Sequence, residues 1–210
     1  MYSFTIQPNE YLNQSVQAFY HTDYVGYRNP GNPDYINTLK NTYGNSSNAI
    51  LSNAVQELEN ALLEDLPQIF QLLQMNTLIV CVVPRAKANY LANQLLFKST
   101  VRNVVNRLNN GFCDDADYII RHTDTRTTHL KQQAPNYNND GQRPYPGITT
   151  DTCRISDKVR GKDILLIDDL YTKTINIDED AIQALSNNDA KSVTFYAVGH
   201  TVFIDKGKPR

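Results

Sequence analysis

Asp163-Ile-Leu-Leu-Ile-Asp168-Asp169-Leu-Tyr-Thr172-Lys-Thr-Ile-Asn176 carries the clearest indication of fold class in this sequence. The apolar residues 164–167 follow one another without alternation, which is typical of a strand buried on both faces of a parallel sheet. Ligands of open α/β sheets bind just beyond the carboxyl ends of such strands, so Asp168 and Asp169 are predicted to lie at a binding site. Two adjacent carboxylates repel each other, and a ligand with hydroxyl groups or a metal ion would explain why both are there.

A short polar turn follows the two acids. Thr172, Thr174 and Asn176 precede a helix that is predicted to begin near Asp178. Backbone N–H groups at a helix start, with hydroxyls beside them, bind phosphate. The stretch therefore predicts carboxylates for a vicinal diol and a turn for a phosphate, which are the two groups of a ribose 5-phosphate. The alternative is a buried strand followed by an Asp-rich turn that caps a helix.

This arrangement resembles the phosphoribosyl pyrophosphate (PRPP) motif of type I phosphoribosyltransferases. In that motif, four apolar residues, two acids, an apolar residue and one further residue precede a run of Thr, Ser and Gly. Lys173 and Thr174 stand where the family usually has Thr-Gly, so a position of close backbone approach is lost and a cation is gained. The resemblance implies that the two acids bind the ribose hydroxyls and share in catalysis. It assigns the 5-phosphate to Thr172, Lys173, Thr174, Ile175 and Asn176.

A second apolar stretch, residues 77–83, is also predicted to be a buried strand, and it ends in Pro84-Arg85-Ala86-Lys87. A loop with two cations after a parallel strand is a second anion site by the same geometry. In the resembling family the corresponding loop holds pyrophosphate, which implies this role for Arg85, Ala86 and Lys87. The alternative is a pair of solvated surface charges.

A long loop, residues 122–146, separates the predicted strand 117–121 from Cys153. Loops of this length in a compact domain are usually lids or linkers. The family closes a mobile loop over pyrophosphate, so the resemblance implies catalytic contacts from Arg126 and His129, with Lys131 as a further candidate. The alternative is a mobile surface excursion whose charges have no role.

Strands and helices alternate along the rest of the chain, which predicts an α/β fold with a mainly parallel central sheet flanked by helices. Residues 1–47 are polar and tyrosine-rich and are predicted to be irregular. A helix is predicted over 48–65, broken at Pro67. We therefore predict one compact domain with a hood or packing segment over 1–76 and a phosphoribosyltransferase-like core over 77–210. Further elements are predicted as a helical stretch over 90–108, a helix over 178–187 and a strand over 192–198.

Composition sets broad limits. The chain has 210 residues and a net charge of −2, which disfavours a general nucleic-acid-binding surface. Three cysteines without CxxC spacing favour neither a disulfide framework nor a zinc site. No apolar run approaches membrane-spanning length, and no signal-peptide pattern opens the sequence, so we expect no membrane partner and a cytoplasmic location.

The resemblance is closest to small phosphoribosyltransferases that are competence-associated or amidophosphoribosyltransferase-like. It implies transfer of a phosphoribosyl group from PRPP to an unidentified acceptor, with release of pyrophosphate. Mg²⁺ would be the cofactor, held mainly through PRPP, with Asp168 and Asp169 as candidate ligands. His200 is a candidate acceptor base, a structural histidine being the alternative. A homodimer stays open, and the rival function is a non-catalytic PRPP or nucleotide sensor or effector module of the same fold.

Overall fold

The computed structural model describes residues 1–109, 111–130 and 134–202, and its described strands form two sheets. The strands are β1 (Tyr2–Ile6), β2 (Val16–Tyr24), β3 (Leu78–Val82), β4 (Phe112–Asp114), β5 (Ile119–Arg121), β6 (Cys153–Ile155), β7 (Asp163–Tyr171) and β8 (Ser192–Thr201). The helices are α1 (Tyr35–Lys40), α2 (Asn48–Leu73), α3 (Leu96–Leu108) and α4 (Ile177–Asn187). The main sheet has the order β1-β2-β8-β7-β3-β4, and only its edge strand β1 runs antiparallel to its neighbour. The predicted α/β class with a mainly parallel sheet flanked by helices is therefore confirmed.

Helices cover both faces of the main sheet because alternate residues of its central strands are apolar on both sides. Ile164 and Leu166 of β7 belong to the same buried cluster as the apolar face of α4. Leu165 and Ile167 point the other way and share a buried cluster with α1, α2 and α3. The fully buried strand β3 lies next to β7, with Val82 opposite Ile167. Because the two strands are parallel, the segments that follow them meet at one edge of the sheet.

The prediction of irregular structure over 1–47 is wrong. Residues 2–6 and 16–24 form β1 and β2, and β2 extends the parallel sheet by pairing with β8, with Ala18 opposite Phe195. These strands are difficult to recognise in the sequence, because the region is rich in tyrosine and polar residues. Strands near a sheet edge bury fewer side chains and therefore need fewer apolar residues. The first 24 residues thus contribute to the same sheet as the predicted core.

The predicted break at Pro67 is also wrong, since α2 runs through it as one helix of 26 residues. Ser47 caps its start by accepting a hydrogen bond from the Ile50 amide. A proline inside a helix costs about 3 kcal/mol. Leu66 and Ile69, on either side of Pro67, are fully buried and offset that cost. Among the described residues, no helix combines the length and the apolar character needed to cross a membrane.

Two other predicted strands differ from the structure. The strand predicted over 117–121 is the shorter β5, which lies outside the main sheet and pairs antiparallel with β6. β7 does not end at residue 167 but continues through the acid pair to Tyr171, because the ladder with β8 extends to Tyr171 opposite His200. The prediction that Asp168 and Asp169 lie just beyond the strand is therefore wrong, since both residues lie inside it.

Candidate functional site

A cavity of about 380 Å³ lies where β3 and β7 end side by side. It brings the acid pair together with the loop after β3, as the parallel arrangement of the two strands requires. Apolar residues of α1, the β3 loop, the start of α3 and β5 form much of its wall. Its polar lining includes the side chains of Lys40, Arg85, Lys87, Tyr90, Asp168 and Asp169.

The two acids of β7 point to opposite sides of the sheet edge, as successive strand residues do. Asp168 faces α4, where it hydrogen-bonds the carboxyl of Asp178, and Asp169 faces α1, where it meets Lys40. The Asp169 amide donates to Asp168 Oδ1 at 2.7 Å. The two carboxylates therefore make separate contacts on opposite sides of the sheet and do not form one paired binding group.

Asp168 shares a hydrogen bond with the buried Asp178 at the start of α4. Burial, and then the charge of Asp169, raise the pKa of Asp168 to about 7. Burial and the nearby Asp168 also raise the pKa of Asp178. Asp178 Oδ1 is buried and has no hydrogen-bond partner among the described residues. The two carboxyls thus favour a state in which they hold a proton between them.

Asp169 forms an ion pair with Lys40, the last residue of α1, at 3.1 Å between Oδ1 and Nζ. Burial alone would lower the pKa of Lys40, but the charges of Asp169 and Asp168 outweigh it and the pKa is raised. The ammonium is therefore charged at neutral pH, and it balances one of the carboxylates that surround it.

The cations predicted for pyrophosphate lie at the cavity but are already bonded. Arg85 donates to the carbonyl oxygens of Lys40 and Gln94, and its guanidinium lies 4.1 Å from the centre of the Tyr90 ring. Lys87 Nζ donates to the Asp140 carbonyl at 3.1 Å. The third predicted residue of this loop, Ala86, contributes its carbonyl, which accepts from Thr125.

The predicted phosphate turn lies outside the lining of this cavity. The Ile175 amide donates to the Thr172 carbonyl, the hydroxyls of Thr172 and Thr201 lie 2.6 Å apart, and Asn176 accepts from Asn9. Lys173 and Thr174 are exposed at the tip of the turn. Ile175 lines a second, more open cavity of about 250 Å³ together with Arg126.

Carboxylates occupy the start of α4, where the sequence predicted a phosphate. Asp178, Glu179 and Asp180 are all buried in its first turn. Glu179 accepts from the Tyr171 hydroxyl at 2.9 Å, and Asp180 accepts from the amides of Gly147 and Ile148. The favourable end of the helix dipole is thus already matched by negative side chains.

The lid, residues 122–146 with 131–133 outside the described part, lies against the cavity. The Thr125 amide donates to the Ala86 carbonyl at 2.7 Å, and the Ala88 amide donates to the Asp124 carboxylate at 2.8 Å. His129 Nε2 lies 3.1 Å from the Thr42 hydroxyl of the N-terminal segment. Lys131 falls among the undescribed residues.

The two predicted catalytic residues of the lid lie apart. Arg126 bonds within the lid, through Nε to the Gly141 carbonyl. His129 is exposed; partial desolvation and the positive charge of Lys40 lower its pKa, although contact with water limits the effect. Of these two residues, His129 therefore connects the lid to the N-terminal segment, where the ring pairs of Tyr11 with Tyr145 and of Tyr43 with Tyr137 also join the two.

His200 does not line the cavity. It lies in β8 between the rings of Tyr20 and Tyr171, whose centres are 4.8 and 5.5 Å from its own. Its Nδ1 is buried and has no hydrogen-bond partner among the described residues. Burial lowers its pKa. This stacked position fits the structural alternative for His200 better than an acceptor base.

Sequence reasoning missed Lys40 altogether, and it treated Asp178 only as a helix-start residue. No local sequence pattern separates Lys40, at the end of a six-residue helix, from an ordinary surface lysine. Its partner Asp169 lies far along the chain. Among the described residues, no group of three or more His, Cys, Asp or Glu side chains is placed to hold a metal ion. Neither a scan against protein-family models nor a search of curated proteins found a match to the chain.

Proposed function

We propose that this chain binds PRPP in the 380 Å³ cavity and transfers its phosphoribosyl group to an acceptor. One observation carries the proposal: the acids of β7 and the cationic loop after β3 line the same cavity, although 80 residues separate them in sequence. A hydroxyl-bearing sugar and an anionic leaving group need these two kinds of partner close together. The type I phosphoribosyltransferase-like fold is part of the same proposal.

In the proposed reaction, the acceptor forms a bond to the anomeric carbon of the ribose as the bond to pyrophosphate breaks. Pyrophosphate leaves with the electron pair, and the proton of the acceptor passes to solvent. Asp169, held in place by Lys40, would accept from a ribose hydroxyl. Arg85 and Lys87 would stabilise the charge that grows on pyrophosphate once the ligand replaces their present carbonyl partners.

The donor set does not fit a Mg²⁺ ion held by the protein. Asp169 is paired with an ammonium and Asp168 with another carboxyl, whereas Mg²⁺ prefers several oxygen ligands in octahedral geometry. Mg²⁺ enters the proposal only as a companion of the pyrophosphate in solution, and no step passes through it.

A sensor that binds PRPP without turnover is the second candidate. The bonded state of both cations favours it, because Arg85 and Lys87 hold backbone carbonyls rather than pointing free into the cavity. A sensor needs binding and lid rearrangement but no stabilisation of a leaving group.

Thermal unfolding with and without PRPP tests the binding that both candidates share. A ligand at 100 times its Kd stabilises by about 2.7 kcal/mol, which for a chain of this size raises Tm by about 5–10 °C. Ribose 5-phosphate and pyrophosphate alone serve as the separate halves of the ligand. An unchanged Tm at millimolar PRPP contradicts both candidates. A shift without pyrophosphate release across a panel of bases, amines and nucleic acids selects the sensor.

A further inference from the structure

The 380 Å³ cavity has an apolar lining besides the charged side chains described so far. Leu95 and Phe97 at the start of α3, Ile120 of β5 and the ring of Tyr90 all belong to it. We call these four residues the apolar subsite. Leu95 and Ile120 are 39% and 37% exposed, although they lie on a concave wall. Covering such side chains with an apolar ligand is favourable, and ligand pockets are typically lined in this way.

Buried neighbours along the chain hold the two exposed side chains in place. Ile120 lies between Ile119 and Arg121, which are both buried, because successive strand residues point to opposite sides. Leu95 follows the buried Gln94, whose side-chain amide donates to two carbonyls of the segment after α1. The exposed apolar surface is therefore part of the fold, and the subsite is formed before a ligand arrives.

The charged side chains beside the apolar subsite neutralise one another. Lys98 Nζ lies 2.5 Å from Asp117, and Arg102 bonds Asp114 at 2.7 Å and Asp117 at 2.8 Å. Lys98, Arg102 and Asp117 also line the cavity. Two cations thus match two carboxylates, so this part of the wall favours an uncharged group over an anion or a cation.

The hydroxyls beside the subsite are bonded within the protein. The Tyr90 hydroxyl accepts from the Lys87 amide at 3.1 Å, and the Ser99 hydroxyl donates to the Leu96 carbonyl at 3.1 Å. A nucleobase carries ring nitrogens and carbonyls that lose water on binding, and a selective site supplies partners for them. A wall whose polar side chains are already bonded favours a ring without such heteroatoms.

We propose that the apolar subsite binds an uncharged carbocyclic aromatic ring. An apolar cavity of about 150 Å³ holds a benzene-sized ring, so the 380 Å³ cavity leaves room for a sugar phosphate beside it. In the proposed reaction the acceptor then carries such a ring next to its nucleophilic atom. This assignment of the ring to the acceptor alone rests on the proposed function.

Titration with N-phenyl-1-naphthylamine, an uncharged aromatic probe that fluoresces in apolar surroundings, tests the proposal. The wild type should bind the probe saturably. Aniline should displace it, whereas adenine and uracil at the same concentration should not. Ile120→Thr and Leu95→Asn should each weaken probe binding about tenfold, because each removes most of one apolar contact. Both variants should fold, since Thr suits a strand and Asn suits the residue that precedes a helix.

Matched controls make the same changes away from the cavity. Ile50→Thr and Leu72→Asn alter residues of α2 that are 56% and 61% exposed, and their affinity for the probe should stay within about twofold of the wild type. The wild type also supplies a test of its own. In methyl NMR spectra, the probe should shift the signals of Ile120 and Leu95 and leave those of Ile50 and Leu72 unchanged.

Three results would each overturn the proposal: no saturable probe binding by the wild type, unchanged binding in both subsite variants, or displacement by adenine as strong as by aniline. If a variant does not fold, the methyl signals of the wild type decide, and shifts that spare Ile120 and Leu95 contradict the proposal. None of these measurements contains PRPP. A Tm that does not respond to PRPP would therefore refute the proposed function and leave the apolar subsite standing.

Discussion

The two ends of β7 place the same residue type in opposite electrostatic surroundings. At the amino end, Asp163 accepts from Lys191 Nζ at 2.8 Å and from the Ser192 hydroxyl at 2.6 Å. Burial acts to raise the pKa of Asp163, but these two donors outweigh it and lower the pKa. At the carboxyl end, burial and the charge of Asp169 raise the pKa of Asp168 to about 7.

The two environments distinguish a carboxylate that stabilises the fold from carboxylates that do not. Two hydrogen-bond donors stabilise the charge of Asp163, so this carboxylate requires no ligand or additional cation. Asp168 lies beside two other acids and an open cavity, an arrangement that is unfavourable until a ligand, a proton or a cation arrives. Perturbed groups of this kind cluster at functional sites, which supports placing the proposed function at the carboxyl end of β7.

The largest effect should come from neutralising the acids of one end at a time. Asp168→Asn combined with Asp169→Asn should weaken PRPP binding on the order of 100-fold, since each hydrogen bond to a charged group contributes about 1.5–3 kcal/mol. Asp163→Asn should leave the affinity within about twofold, a difference of roughly 0.4 kcal/mol. Calorimetric titration with PRPP measures both variants.

The same double variant removes repulsion between neighbouring carboxylates but also leaves the Lys40 ammonium without its partner, so without ligand its Tm should stay close to that of the wild type. A double variant with unchanged affinity and a lower Tm would assign the acid pair a purely structural role. Equal losses of affinity at both ends would erase the distinction between them.

A second, smaller effect should appear in the pH dependence of stability, with opposite signs at the two ends. Because the pKa of Asp168 is raised from 3.8 to about 7, its contribution to stability is present below pH 4 and is lost as pH rises towards 7. Asp168→Asn lacks that loss, so its Tm relative to wild type should become more positive between pH 4 and pH 8, by several degrees. One pKa unit is about 1.4 kcal/mol, or about 3–5 °C here.

Asp163→Asn should show the reverse trend. The lowered pKa of Asp163 stabilises the fold above its ordinary value of 3.8, and this stabilisation is lost as pH falls. Its Tm relative to wild type should therefore become more negative as pH rises from 3 to 5, by only a degree or two since Lys191 is exposed. Parallel pH trends in the two variants would refute the contrast between the ends of β7.

The parts of this site that the sequence predicts all depend on local pattern. Continuous apolar runs predict β3 and β7, and parallel neighbours must bring their following loops together, which places Arg85 near Asp168. The helix after the turn is likewise predicted within one residue of its observed start at Ile177.

Other parts depend on contacts between distant segments, which no local pattern carries. The pairing of Lys40 with Asp169 requires β2 to extend the sheet and α1 to return over its end. The continuation of β7 through the acids follows from the ladder with β8, and strand alternation then sends Asp168 and Asp169 to opposite sides. Pro67 misled the prediction because tertiary burial overrides helix propensity.

The smallest effect concerns the lid, which contacts the loop after β3 through Thr125 and Asp124 and the N-terminal segment through His129. The lowered pKa of His129 means that the closed lid favours the neutral ring, so its contact with Thr42 is fully stabilising above about pH 6.5 and weakens as pH falls. Hydrogen exchange at pH 5 and 7.5, corrected for intrinsic rates, should show a few-fold faster opening of the lid amides at pH 5, since a full pKa unit would give about tenfold. Amides at the amino end of β7 should not respond.

His129→Gln should abolish the pH effect on lid opening. The control variant His122→Gln should retain it, because His122 is exposed and its ring bonds only within the neighbouring loops. Faster exchange at both ends of β7, or a pH effect that survives in His129→Gln, would show that the lid is not held through this histidine.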